Sequence, residues 1–171
     1  MIQEEKVLFK ATVVIPIRDG QVLLAIKTRK IGAGCWNGYG GGVEEGETTL
    51  ECATRELKDE SGLIASKEDL EKVAIADFHN EKIDGSIFVC RVHFYLWKKW
   101  EGFPKETEEM INPTPFNIND LPLKGMMPAD REFIPLILKN EKLLVEAHYT
   151  PFQKKLKGKV KIKRVKFLPE D

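Results

Sequence analysis

Excess charge of either sign is missing from this 171-residue chain: 27 lysines and arginines balance 27 aspartates and glutamates. No global field therefore draws it to nucleic acid or to a membrane surface. Cysteine is scarce. The three present (Cys35, Cys52, Cys90) are odd in number and show neither C-x-x-C nor zinc-finger spacing, which argues against a disulfide framework or a cysteine-based zinc site. Reduced thiols in a cytoplasmic protein are the simplest expectation. No apolar run approaches the ~18 residues of a membrane span, and the opening MIQEEKVLFK has no signal-peptide core. Histidine is limited to His79, His93 and His148, scattered along the chain. No repeat, low-complexity stretch or linker interrupts it, so one domain over residues 1–171 is expected, long enough to bury roughly 70% of its unfolded surface.

Hydrophobic periodicity supplies the elements. Residues 7–17 are rich in β-branched side chains, Asp19-Gly20 makes a tight turn, and residues 22–27 return, which together predict a hairpin. Further strands are expected over 36–43, 72–79, 86–97, 143–148 and 160–167, with a turn at Asp84-Gly85. Residues 116–121 read as a turn or short helical piece. Residues 129–139 read as an amphipathic helix that Pro135 kinks or shortens. The pattern alone gives α/β or α+β.

The segment from Gly41 to Leu63 (GGVEEGETTLECATRELKDESGL) carries the chemistry. From Thr49 its apolar residues Leu50, Ala53, Leu57 and Ile64 recur at helical steps and predict a buried stripe. Thr48 or Thr49 suits the N-cap and Gly62 the C-terminal stop. Glu56 and Glu60 lie one turn apart at the edge of that stripe, with Asp59 on the same side. Like charges at this spacing weaken an isolated helix, and a divalent cation reverses the sign. A cluster of hard oxygen ligands suits Mg²⁺, with Mn²⁺ the substitute. Arg55 is placed to hold Glu47 by a bidentate pair. The glycines of residues 38–43 let backbone approach metal and phosphate closely.

This spacing resembles the Nudix box: Gly41, five residues, Glu47, seven residues, then Arg55-Glu56-Leu57 and the acidic pair before Gly62. Asp59 departs from the pattern, standing where the family carries glutamate. The resemblance implies a mixed β-sheet sandwiched between α-helices, and an enzyme that hydrolyses nucleoside diphosphates linked to another moiety. It implies metal ligation by Glu56, Asp59 and Glu60, with Glu109 and the Gly40 carbonyl, and proton removal from water by Glu60. Glu47 and Arg55 complete the catalytic group.

Outside the box, residues 12–138 resemble the Nudix subfamily that hydrolyses oxidised purine nucleoside triphosphates such as 8-oxo-dGTP to the monophosphate and pyrophosphate. The stretch GAGCWNGYGGGVEEGE (32–47) follows that subfamily's loop. By this resemblance Asn37 reads the base, Trp36 anchors the loop, Tyr39 supplies an aromatic, Thr12 and Lys27 line the nucleotide pocket, and Phe78 stacks on the base. Residues 126–130 close over the base, with Met127 against it and Asp130 bonding its edge. An amide offers donor and acceptor together, so selectivity rests on Asn37 and Asp130. Stacking on Phe78 adds roughly 1–3 kcal/mol with little discrimination. Four positions depart from the subfamily: Ala129 replaces an aspartate, Met127 a tryptophan, Ile31 a phenylalanine and Gly42 a lysine.

Residues 154–166 hold eight lysines and arginines in thirteen positions. With little aromatic interleaving they read as a solvated edge strand rather than a nucleic-acid patch. The alternative functions are a broad hydrolase of sugar nucleotides, dinucleotides or capped RNA, and a catalytically silent Nudix domain that only binds ligand. The intact acids at 56, 59 and 60 favour an enzyme.

Overall fold

The computed structural model describes residues 9–170. Strands β1 (Lys10–Arg18) and β2 (Gln21–Lys27) form the expected hairpin. Its turn residues Asp19 and Gly20 both have positive φ (52° and 73°), the pairing that suits the twist of a two-residue hairpin loop. Residues 7 and 8 of the predicted first strand lie outside the described residues.

The single strand expected over 36–43 is two: β3 (Trp36–Asn37) pairs with β2, and β4 (Tyr39–Gly42) with β1. Gly38 lies between them, where a Cβ would sit 2.6 Å from the Val14 carbonyl oxygen. After α1 (Thr49–Ser61) come β5 (Leu70–Glu81) and β6 (Ile87–Trp97), joined through Asp84-Gly85. A strand not foreseen, β7 (Met110–Asn117), pairs with β2 and takes in the first two residues of the piece expected as a turn or short helix. Helix α2 (Asp130–Ile137) contains Pro135 and is only eight residues long. Strands β8 (Lys142–Tyr149) and β9 (Lys161–Val165) follow.

The sheet runs β3-β2-β1-β6-β5-β8-β9, with β4 also on β1 and β7 also on β2. The β1–β6 and β5–β8 pairs are parallel and the rest antiparallel. Helices cover opposite faces. Phe133, Ile134 and Ile137 of α2 pack on Ala76, Phe78, Phe94 and Val145, and Ala53 and Leu57 of α1 pack on Val14, Leu23, Tyr39 and Trp97. The period-two alternation of β1 feeds both layers, Ala11 and Ile15 to one and Val14 to the other. Leu57 is fully buried, and truncating such a leucine to alanine costs about 2–5 kcal/mol.

Two details of the predicted α1 stripe differ. Ile64 is 72% exposed, because the helix stops at Ser61 and Leu63 turns inward instead. Glu60 sits within the buried face rather than at its edge, at 4% exposure.

The basic segment ends the sheet as edge strand β9. Three of its charges are answered: Lys157 meets Glu81 at 3.0 Å, Lys161 meets Glu146 at 3.3 Å and Arg164 meets Glu141 at 2.9 Å. Among the described residues, no helix is long and apolar enough to cross a membrane.

Candidate active site

Helix α1 presents the acids because both its ends are pinned. The Thr48 side chain accepts from the Glu51 N–H at 3.1 Å, and Gly62, at φ 77°, closes the helix by donating its N–H to the Lys58 carbonyl. Between them Arg55 organises the loop. Its Nε and Nη2 donate to the two oxygens of Glu47 at 2.6 and 2.9 Å, Nη2 also reaches the Gly42 carbonyl, and Nη1 donates to Glu56 at 2.8 Å. The paired guanidinium holds the Glu47 carboxyl down at about 2. Glu47 is thus a fixed counter-charge for Arg55.

Strand β4 brings backbone against these acids. The Gly40 N–H donates to Glu60 Oε1 at 2.8 Å. A Cβ at Gly40 would lie 1.7 Å from the Thr12 carbonyl oxygen, and one at Gly41 would lie 2.7 Å from the Glu56 carboxyl carbon. Only glycine permits both approaches.

The result is an acidic cavity lined by Gly40 to Gly42, Glu56, Asp59, Glu60 and Glu109. Burial, and after it the neighbouring Glu56 charge, pushes the Glu60 carboxyl up to about 8, against the lowering effect of Gly40 N–H and Lys27. Glu60 and Glu109 share a hydrogen bond, while Arg29, 2.8 Å from Glu109, holds that carboxyl low. Burial lowers the Lys27 ammonium. Desolvated carboxylates crowded around a concave surface of oxygen donors fit a hard divalent cation, which would supply the opposite charge they lack. Asp59 is the loosest member, with a side chain 62% exposed and its oxygen 3.8 Å from Arg55.

A second, largely apolar cavity adjoins the first and shares Lys27, Ile31, Gly40, Gly41 and Glu60 with it. Phe78, Met127, Asn37 and Asp130 line it together, as the resemblance implied. Burial pushes the Asp130 carboxyl up to about 7, partly offset by Lys27.

One expected pocket residue is placed otherwise. Tyr39 is fully buried in the α1-side core and lines neither cavity, because it alternates with the glycines that face the cleft. Thr12 borders the apolar cavity, but its hydroxyl lies 3.2 Å from Cys52 Sγ on α1. Trp36 serves as an anchor, edge-on to Phe116 at 4.8 Å.

The cavity's back wall was not foreseen from the sequence. Tyr149 and Gln153 line it. The Tyr149 hydroxyl accepts from the Ala129 N–H at 2.8 Å, fixing the start of α2 and hence Asp130, and Gln153 donates to Asn80. The partners lie 20 and 73 residues apart, so no local motif marks them.

Comparison with known proteins agrees with this geometry. A model of the NUDIX domain matches residues 8–137. The chain belongs to the NUDIX domain family. It is 38% identical over 133 residues to the oxidized purine nucleoside triphosphate hydrolase of Danio rerio, covering 78% of this chain and 81% of that protein. It is 40% identical over 131 residues to the enzyme of the same name from Mus musculus, covering 77% and 80%. In structure it resembles the MutT protein of Bacillus halodurans, with a TM-score of 0.77 at 25% identity, over 91% of this chain and 97% of that one. Nudix hydrolases generally use a divalent metal, which suits the oxygen donors of the acidic cavity. Strands β8 and β9 lie beyond the matched residues yet extend the same sheet.

Proposed function

We propose that this chain is a nucleoside triphosphate pyrophosphohydrolase acting on oxidised purine nucleotides, with 8-oxo-dGTP the leading candidate, and that the whole of residues 1–171 forms one hydrolase domain. The observation that carries the reading is the joined cleft: a Phe78-walled cavity with Asn37 and Asp130 opens at Lys27 and Glu60 into a carboxylate-lined cavity. A purine fits the first and a polyphosphate the second. The names of the fish and mouse relatives support the same substrate class.

Glu56, Asp59, Glu60 and Glu109, with the Gly40 carbonyl, would hold Mg²⁺ (or Mn²⁺). Bound there, the ion would neutralise phosphate charge and acidify water. The chain's own groups do the rest. Lys27, at the junction of the cavities, positions the phosphates. Glu60 is oriented by the Gly40 N–H at Oε1 and takes the proton of the attacking water. The water oxygen forms a bond to phosphorus as the α–β anhydride bond breaks, releasing pyrophosphate. Arg55 and Glu47 keep Glu56 and the glycine strand in place.

At the base end, an Asp130 carboxyl near neutrality in its titration can donate a hydrogen bond to a purine edge while Asn37 donates and accepts. A site built so rejects a base that leaves these groups unpaired. Met127, in place of a flat aromatic, leaves a softer wall and supports a broader choice of purines as the second reading. The free thiols Cys35, Cys52 and Cys90 suit a cytoplasmic setting. Mg²⁺-dependent turnover across oxidised and ordinary nucleoside triphosphates, sugar nucleotides and capped RNA tests the assignment. A preference for any of the last two classes refutes it.

A further inference from the structure

We propose that His79, Glu146 and His148 form a second metal site, specific for a borderline transition-metal dication such as Zn²⁺, on the face of the sheet beside α1. The parallel register of β5 and β8 sets His79 opposite His148 and Asp77 opposite Glu146. Alternation then places these four side chains on one face, while the intervening Phe78 and Ala147 enter the α2-side core. Helix α1 packs over β1 and β4, and the His79, Asp77, Glu146 and His148 side chains keep 26%, 30%, 37% and 39% of their surface exposed, so the β5–β8 part of this face stays open.

The distances suit ligation. The two imidazoles stack with centroids 4.2 Å apart and planes 17° apart, which carries their ring nitrogens side by side toward one carboxylate. His79 Nε2 is 3.4 Å from Glu146 Oε1, and His148 Nε2 is 3.8 Å from Glu146 Oε2. One ligand atom from each residue lies within 4.8 Å of the others. Metal bonds of 2.0–2.2 Å in tetrahedral geometry give ligand–ligand edges of about 3.4 Å, so only a small contraction is needed.

Chemistry then selects the ion. Two imidazoles and one carboxylate suit Zn²⁺, Ni²⁺ or Cu²⁺ and not Mg²⁺, unlike the all-oxygen cluster of α1. The side chains are 26%, 37% and 39% exposed, leaving room for water or an outside ligand in the remaining positions. Asp77 is already engaged by Arg91 at 2.8 and 2.9 Å, so three donors remain. The competitor is Lys161, whose ammonium lies 3.3 Å from Glu146 Oε2 on a largely exposed, flexible stem. A metal would displace it at little cost. None of the three residues lines the cleft.

The test is calorimetric titration of Zn²⁺ into the full chain in millimolar Mg²⁺, which keeps the acidic cavity supplied with its own ion. One saturable equivalent is expected. It should weaken at least tenfold in His79→Gln/His148→Gln, persist in Glu60→Gln and in Cys35→Ser, and tighten severalfold in Lys161→Gln. The last variant guards against trivial unfolding, because a gain in affinity cannot come from a damaged fold. Absence of Zn²⁺ binding, equal affinity in the histidine double variant and wild type, loss in Glu60→Gln or Cys35→Ser, or no gain in Lys161→Gln would overturn the site.

Discussion

Asp130→Asn should make the protein more stable at pH 8 while making it a poorer enzyme. The Asp130 side chain is 8% exposed at the start of α2, where burial raises its carboxyl to about 7. Between the ordinary value of 3.8 and that point, the folded chain keeps the proton that the unfolded chain releases. The stability slope, proportional to protons bound unfolded minus folded, is therefore negative in this window. The contribution is fully present below pH 4 and is lost as pH rises through about 7. At 1.36 kcal/mol per pH decade the gap amounts to roughly 4 kcal/mol, and about 2–4 after local relaxation. Asparagine is nearly isosteric and has no charge to bury. The variant and wild type should match near pH 4, and the variant should gain steadily to pH 8, where a melting temperature roughly 5–15 °C higher is expected for a chain of this length. Urea titrations of both proteins at pH 4, 5, 6, 7 and 8 read the difference directly, and taking the difference cancels the other titrating groups, Glu60 among them. A stability difference that is flat with pH, or that grows as pH falls, would refute the argument that Asp130 is a strained buried acid.

Three further outcomes follow from the same structure. Glu60→Gln removes the proton acceptor and should lower kcat on the order of 10³-fold at saturating Mg²⁺, with an unchanged far-UV circular dichroism spectrum; near-normal turnover would take Glu60 out of the mechanism. Gly40→Ala forces a Cβ onto the Thr12 carbonyl and should cost more than about 4 kcal/mol, so folded protein should fail to accumulate on expression at 37 °C, and a stable, well-folded alanine variant would contradict the close approach. Arg55→Lys cannot span both oxygens of Glu47 together with Glu56, and should raise the Mg²⁺ concentration for half-maximal activity roughly 10- to 100-fold; an unshifted Mg²⁺ titration would show that Arg55 does not position the ligands.

Local signals carried most of the architecture. The Asp19-Gly20 turn, the Thr48 and Gly62 caps and the alternation of β5, β6 and β8 are short-range features, and the structure has each where the residues put it. Strand β7 was hidden by Pro113 and Pro115. These are tolerated because β7, among the described residues, is an edge paired only with β2, where a missing N–H can face outward. Tyr39 was misjudged because a strand residue between glycines points away from the surface those glycines expose. The acids Glu56, Asp59 and Glu60 were legible from spacing on one helix, while Glu109, just before β7, was expected only from the family resemblance. The Tyr149–Ala129 contact, and the meeting of His79 with His148, depend on which strands become neighbours, and periodicity within a strand carries no information about its partner.

Strand β4 is at once a rung of the sheet on β1 and the wall against which Glu56 and Glu60 rest. Mutational scans scored by activity alone will therefore record losses across residues 38–42 that originate in misfolding. Abundance measured alongside turnover separates the two, and only positions that stay abundant while falling silent speak to chemistry.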